Sequence, residues 1–366
     1  MKKILVIGAG KIGSTIAALL DSSHDYQITV ADLSQTALAS IKAGSRVQLH
    51  ALDVANSQAL HAVLKGQFAV LNASPFHLTA SIAAAAVAEK VHYLDLTEDV
   101  ASTALVKVLA DAADTALIPQ CGLAPGFVSI VAADLCRSFD SLHSVRMRVG
   151  ALPQFPSNAL NYNLTWSTDG VINEYCEPCE AIVEGVLRQV PPLAEHEEFS
   201  LDGVTYEAFN TSGGLGTLCE TLRGNVTNLN YKTIRYPGHA AIMKALVNDL
   251  RLRDRRDVLK DILENALPIT LQDVVIVFVT VSGLRDGRLM QETYARKVYS
   301  QVVDGELRSA IQLTTAAGIC TVLDLLAANR LPTQGLVRQE EITLADFLAN
   351  RFATAYAEPS LHRAAA

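Results

Sequence analysis

The chain has 366 residues, half of them hydrophobic, and a net charge of −8 at pH 7. That length is enough to bury a large core and suggests two domains, while the acidic balance gives no electrostatic attraction to nucleic acid or to an anionic membrane. Apolar runs such as Val274–Val279 fall far short of the roughly 20 residues that span a bilayer. The run after Met1-Lys2-Lys3 breaks at Gly8, unlike a signal peptide, so a cytoplasmic location is expected.

Ile4-Leu5-Val6-Ile7 reads as a strand buried on both faces of a parallel sheet. Gly8-Ala9-Gly10-Lys11-Ile12-Gly13 follows with G-x-G-x-x-G spacing, and a helical apolar pattern (Ile12, Ile16, Leu19, Leu20) starts at once. Gly8 allows a tight turn, Gly10 lets a pyrophosphate approach the backbone, and Gly13 lets the helix pack on the strand. The helix start, at Lys11 and Ile12, offers free N–H groups and the positive end of a dipole. Asp32 closes a second strand about 20 residues on, where a carboxylate accepts hydrogen bonds from an adenosine ribose. No arginine follows in residues 33–39, so the spacing predicts NAD rather than NADP.

A third strand, Val47–Asp53, ends on Asp53, which faces an adenine edge or caps the helix Ser57–Leu64. Phe68–Asn72 is the fourth strand. The loop after it, Ala73-Ser74-Pro75-Phe76-His77, lies at a carboxyl end and so near a nicotinamide. An alanine-rich helix runs to about Glu89, and the strand beginning at His92 ends in the carboxylate-rich Asp95-Leu96-Thr97-Glu98-Asp99. A helix, Val100–Ala113, and a strand, Thr115–Pro119, complete the first domain, 1–122.

The turn Gly122–Gly126 introduces a helix, Val128–Cys136. From Leu142 the pattern alternates, with Val145, Met147 and Val149 between arginines, as in a half-buried strand. Asp273–Ser282 and Gln291–Val303 read as long strands joined by a turn at 283–287, and Ala310–Ala328 and Leu344–Ala355 as helices. The basic cluster Arg251, Arg253, Arg255 and Arg256 alternates with aspartates, as on a solvated helix face. The fold class is therefore α/β: a Rossmann doubly wound parallel sheet plus a second α+β domain, 123–315, with a mixed sheet. Of six cysteines only Cys176 and Cys179 form a C-x-x-C, and no second pair has zinc spacing, so no metal centre is expected.

The centre of the chain concentrates polar and aromatic residues. Arg235 suits an α-carboxylate through its planar fork, or an inter-domain ion pair. Tyr231 and Thr233 flank it, and Thr168 offers a hydroxyl. Trp166, the only tryptophan, suits a core or a site wall. His239 suits a structural role or a substrate contact.

The fingerprint, the turn Gly122-Leu123-Ala124-Pro125-Gly126, the segment Trp166-Ser167-Thr168-Asp169-Gly170 and Tyr231–His239 together resemble the saccharopine dehydrogenase-like proteins over nearly the whole chain, in particular the L-lysine 6-dehydrogenase branch. The resemblance implies NAD-dependent oxidation of a primary amine, L-lysine to its 6-semialdehyde with release of ammonia. Saccharopine and carboxynorspermidine reductases carry aspartate where this chain has Ala124, which argues against joining an amine to a carbonyl compound and leaves that reaction as the alternative. A nucleotide-sensing protein without turnover is a further alternative. The resemblance also implies that helices of about 316–366 fold back onto the first domain and that the chain forms homodimers or tetramers. Hydride can leave only a carbon bearing a neutral amine, so an ammonium of pKa about 10.4 must lose a proton. Asp95 and Glu98 are candidates to hold or accept it, or else to cap the next helix. His77 is a further relay candidate.

Overall fold

The computed structural model describes residues 1–42, 44–303 and 305–357. The first half alternates strands and helices: β1 (Lys2–Ile7), α1 (Lys11–Ser23), β2 (Tyr26–Asp32), α2 (Gln35–Ala39), β3 (Val47–Ala51), α3 (Ser57–Leu64), β4 (Ala69–Asn72), α4 (Thr79–Ala88), β5 (His92–Asp95), α5 (Val100–Ala110) and β6 (Ala116–Ile118). The strands form one parallel sheet in the order β6-β5-β4-β1-β2-β3. Helices cover both its faces, so β1 from Ile4 to Ile7 and β4 from Ala69 to Leu71 are apolar and buried on both sides. Each such side chain contributes roughly 1.5–3 kcal/mol relative to exposure.

The second half contains α6 (Phe127–Cys136), β7 (Ser141–Pro153), α7 (Thr168–Cys176), β8 (Cys179–Val183), β9 (Val186–Val190), β10 (Glu197–Leu201), β11 (Val204–Asn210), α8 (Leu218–Thr221), β12 (Val226–Arg235), α9 (His239–Lys244), α10 (Arg256–Ala266), β13 (Asp273–Arg285) and β14 (Arg288–Tyr299). Its sheet runs β10-β11-β12-β7-β13-β14, with β8 attached to β12 and β9 to β8. Only the β7–β12 pair is parallel, so the sheet is mixed. A short hairpin, β15 (Gln301–Val303) and β16 (Glu306–Arg308), leads into α11 (Ala310–Ala327).

Helix α11 joins the two halves. The buried Asp273 carboxylate accepts the Ala310 and Ile311 amides at its start, where Ser309 and Gln312 form a capping box. Tyr26 donates to Asp324 (2.6 Å) and Lys2 to the Ala327 carbonyl (2.6 Å) at its other end. It is long and apolar enough to cross a membrane, but 83% of it is buried inside the fold. Strand β17 (Gly335–Leu336) then pairs in parallel with β6, making the first sheet seven-stranded, and α12 (Leu344–Ala349) follows. Residues 358–366 lie outside the described residues.

Three local expectations are corrected. Strand β7 is buried on both faces from Ser144 onward except at Arg146, because Arg148 turns inward onto Glu197. The β13–β14 turn is shorter than 283–287: Asp286 and Gly287, both at positive φ, close a two-residue hairpin. Gly283 instead lies within β13 at a register shift, where a Cβ would sit 2.1 Å from the Ser141 carbonyl oxygen. The basic cluster is not one helix face. A 3₁₀ turn at Leu252–Asp254 interrupts it, and Arg253 and Arg256 bond to the end of α7.

Candidate active site

In a doubly wound sheet the ligand crevice lies beyond the carboxyl ends of the strands flanking the point where the order reverses. Here those strands are β1 and β4. A cleft of about 690 Å³ opens there and runs to the second sheet. Its near wall holds Gly10, Lys11, Ile12, Ala73, Ser74 and Pro75; its far wall holds Tyr231, Thr233 and Arg235.

The three fingerprint glycines differ in their surroundings. A Cβ on Gly8 (φ +107°) would lie 2.6 Å from the Ala73 carbonyl oxygen, and one on Gly13 would lie 1.8 Å from that of Gly8. These two pack the turn against β4 and the helix against the turn. A Cβ on Gly10 would meet no atom within 4 Å, and α1 has no side-chain cap. Open space therefore faces uncapped helix amides, a cradle that fits a pyrophosphate. The Asp32 carboxylate accepts the amides of Ala9 (2.6 Å) and Ser34 (2.7 Å), which leaves lone pairs for a ribose. Asp53 stands apart from the cleft: it is exposed and accepts the Ala55 amide, while Asn56 caps α3.

Strand β12 puts Tyr231, Thr233 and Arg235 on one face by its period of two. Arg235 is buried. It donates from Nε to the Tyr175 hydroxyl (2.9 Å) and from Nη1 to the Ile234 carbonyl (2.9 Å), and its guanidinium lies 4.9 Å from the Tyr162 ring centroid. Nη2 makes no hydrogen bond among the described residues and is left for a ligand. Burial opposes its charge, but Tyr175, Tyr162 and Glu174 more than offset that and hold its proton.

Thr168 and Trp166 line the cleft beside Ser167, which caps α7 by accepting the Gly170 amide. Helix α7 then carries Glu174 into the cleft, a carboxyl that the sequence reading missed. Burial, then the charge of Glu98, pushes Glu174 up to about 8, and Arg235 pulls it back. Glu98 faces the same space, and burial, then Asp99 and Asp95, pushes it up to about 7. Asp99, not Glu98, caps α5 by accepting the Ser102 amide (2.7 Å), which frees Glu98 for the cleft. The site thus sets one guanidinium against two carboxyls that exchange protons near neutrality.

Three candidates lie off the cleft wall. Asp95 accepts the Thr97 and Gln120 amides and ties β5 to the β6 loop; burial pushes it up to about 6 against those two bonds. His77 is exposed on the 3₁₀ turn after Pro75, beyond the lining formed by Phe76. His239 is buried behind Arg235. Its Nδ1 donates to the Leu160 carbonyl (2.9 Å) and its Nε2 accepts from the Tyr175 hydroxyl (3.0 Å). Burial and the Arg235 charge bring it down to about 3, so it stays neutral. The Glu207 carboxylate accepts the Gly238 and Ala240 amides and shapes the turn that places His239. Tyr175 and His239 are positioning residues for Arg235. Tyr175→Phe is expected to raise the KM for a carboxylate-bearing amine about 5- to 10-fold and to leave a carboxylate-free diamine unaffected. Equal losses with both would make Tyr175 merely structural.

Residues 4–117 match the model of the saccharopine dehydrogenase NADP binding domain, and residues 122–353 match that of the saccharopine dehydrogenase C-terminal domain. The chain belongs to the saccharopine dehydrogenase family. Its N-terminal domain is accordingly of a kind that takes a nicotinamide dinucleotide. Among solved structures, the apo saccharopine dehydrogenase (L-Glu forming) from Saccharomyces cerevisiae superposes with a TM-score of 0.78 at 17% identity over 95% of both chains, and so shares the fold. Among curated relatives, the mitochondrial alpha-aminoadipic semialdehyde synthase of Bos taurus is 22% identical over 81% of this chain and 33% of its own length. That of Mus musculus is 21% identical over 67% and 28%. The chain therefore spans a third or less of these curated relatives. In this saccharopine dehydrogenase family member the methyl group of Ala124 contributes to the cleft wall, in a turn held by Gly126 (φ +130°), whose Cβ would sit 2.1 Å from the Gly122 carbonyl oxygen.

Proposed function

We propose that the protein oxidises the side-chain amine of a diamino monocarboxylic acid, L-lysine foremost, with NAD, giving the 6-semialdehyde and ammonia. The observation that carries this is the charge on the cleft wall: one buried guanidinium facing a space shared by the buried Glu174 carboxyl and the half-buried Glu98 carboxyl. Arg235 matches the single carboxylate of such a substrate, and Glu98 and Glu174 match its two amino groups. Saccharopine carries three carboxylates and would bring two of them to a wall whose other cation is Lys11 at the glycine turn. The Ala124 methyl adds no carboxyl at the position where the reductases carry one.

The bound dinucleotide supplies the hydride acceptor. The chain's residues do the rest. Arg235, held by Tyr175, orients the substrate through its carboxylate. Glu98 in its anionic form takes the ammonium proton, leaving a neutral amine whose carbon can release hydride. Trp166 and Leu96 supply apolar wall beside these residues.

The preference for NAD rests on Asp32 and on residues 33–39, which hold no cation to meet a 2′-phosphate. Asp32→Arg is expected to lower the affinity for NADH and to shift the NADPH/NADH affinity ratio at least tenfold toward NADPH, measured by nucleotide fluorescence. Equal loss of both would confine Asp32 to its bonds with Ala9 and Ser34.

A saccharopine-forming or saccharopine-cleaving reaction is the second reading, favoured by the names of the relatives. The test is NADH formation with L-lysine, ornithine, diaminopimelate and saccharopine side by side. Turnover of lysine supports deamination; turnover of saccharopine alone overturns it.

A further inference from the structure

A second cavity, about 380 Å³, lies behind the far wall of the active-site cleft. Helix α5 lines it through Thr103, Ala104 and Lys107, strand β8 through Glu180, and the turn Gly213–Gly216 with Tyr231 forms its floor. Tyr231 lines both cavities. Tyr231 therefore forms part of the partition between them. A Cβ on Gly214 would stand 2.3 Å from the Tyr231 ring, and one on Gly213 would stand 2.3 Å from the Glu98 carbonyl oxygen. The partition therefore rests on the backbone of the residue whose carboxyl faces the reacting amine. The outer end of the cavity is open: Ala104 is exposed, as are Val100 and Val108 along the same stripe of α5. Its titratable lining is Glu180, Glu220, Lys107 and Tyr231; Lys107 is paired with Glu220 and its charge also acts on Glu180, so two carboxyls face one ammonium.

Oxidation at the amine carbon leaves an iminium, R–CH=NH2⁺. Hydrolysis adds water: a C–O bond forms, the C–N bond breaks, and the nitrogen leaves with both water protons as NH4⁺, giving R–CHO. One small polar molecule must enter and one small cation must leave while the amino acid and the dinucleotide fill the front cleft. We propose that the cavity behind Tyr231 is the port through which water reaches the iminium carbon and ammonium departs, with Tyr231 and the Gly213–Gly216 turn as its gate. The inference rests on the deaminating reading of the front site. The port has the size and sign this traffic needs: Thr103, Gln120 and Thr211 give it polar walls, its two carboxyls outnumber its one ammonium for a departing cation, and it reaches solvent at the exposed residues of α5.

The test uses Ala104→Cys in the full chain. All six native cysteines are buried, so a methanethiosulfonate reagent addresses residue 104, and the treated wild type controls for the rest. With a methyl adduct the rate with L-lysine and NAD should hold. With a benzyl adduct kcat should fall at least fivefold and the KM values should fall with it, so that kcat/KM holds. A burst of one NADH per site should appear, because hydride transfer precedes the obstructed step, and the KM for ammonium in the reverse reaction should rise. Reduction of the mixed disulfide should restore the rate, which separates obstruction from misfolding. An unchanged kcat without a burst under the benzyl adduct overturns the port. Failure of the unmodified variant to release ammonia from any diamino acid overturns the deaminating reading, and the port with it.

Discussion

Glu98→Gln is expected to lower kcat with L-lysine by roughly 10²-fold or more, the range typical of a lost general base, and to abolish the rise in kcat/KM between about pH 6 and 8. The sign follows from the burial of the carboxyl. Desolvation pushes Glu98 up to about 7, so below that pH it holds its own proton and cannot take one from the ammonium. As pH rises through 7 it ionises and the rate climbs. Glutamine keeps the shape and has no such transition. The fold should not suffer. A folded-state pKa above the ordinary carboxylate value means that the native state binds more protons than the unfolded chain between about pH 4.5 and 7, so stability falls as pH rises through that window. Removing the ionisable group removes that loss, and Tm at pH 8 should stay level or rise. A Glu98→Gln protein with wild-type activity, or with an unchanged pH profile, would shift the proton acceptor to Glu174. That carboxyl is pushed higher, to about 8, and its own glutamine variant would then lose the same limb.

Arg235→Ala should raise the KM for L-lysine about 10²- to 10³-fold, equivalent to roughly 3–4 kcal/mol, with little change in the KM for NAD. The guanidinium is buried and two of its nitrogens are fixed by Tyr175 and the Ile234 carbonyl, so the loss is of an oriented charge-assisted contact rather than of a mobile surface charge. The control is 1,5-diaminopentane, which has the amine and lacks the carboxylate. Its kcat/KM should be nearly the same in wild type and variant, so the two substrates should converge. A variant that loses both substrates equally would show that Arg235 holds the cleft together instead of reading the carboxylate. Arg235→Lys should recover only part of the loss, since an ammonium cannot reproduce the fork.

Those residues were legible in the sequence to different degrees, for physical reasons. The glycine turn can be read from spacing alone because each glycine answers a backbone constraint within its own strand–turn–helix unit: Gly8 and Gly13 are needed for packing distances below any Cβ contact. Tyr231, Thr233 and Arg235 share a face because strand period is local. Glu174 and Tyr175 were not legible. The helical phase of α7, set by the Ser167 cap, brings Glu174 to the cleft and Tyr175 to Arg235 behind its wall. Neither carboxyl pKa could be read either, because burial comes from segments far apart in the chain. Asp95 and Glu98 look alike in sequence; what separates them is that two loop amides claim Asp95 while Asp99 relieves Glu98 of capping. His77 was misplaced by the 3₁₀ turn after Pro75, which aims it to solvent. Gly283 looked like a turn because a glycine in a strand and a glycine in a loop are indistinguishable until the neighbouring strand shows how closely its backbone approaches.

The most direct measurement is the yield of ammonia per NADH formed from L-lysine and NAD at about pH 9–10, where more of the amine is neutral. Deamination at the side-chain amine gives one ammonia for each NADH. NADH formation from saccharopine with no ammonia, and silence with every free diamino acid, would contradict it and assign the cleft to a substrate with more carboxylates than Arg235 alone can meet.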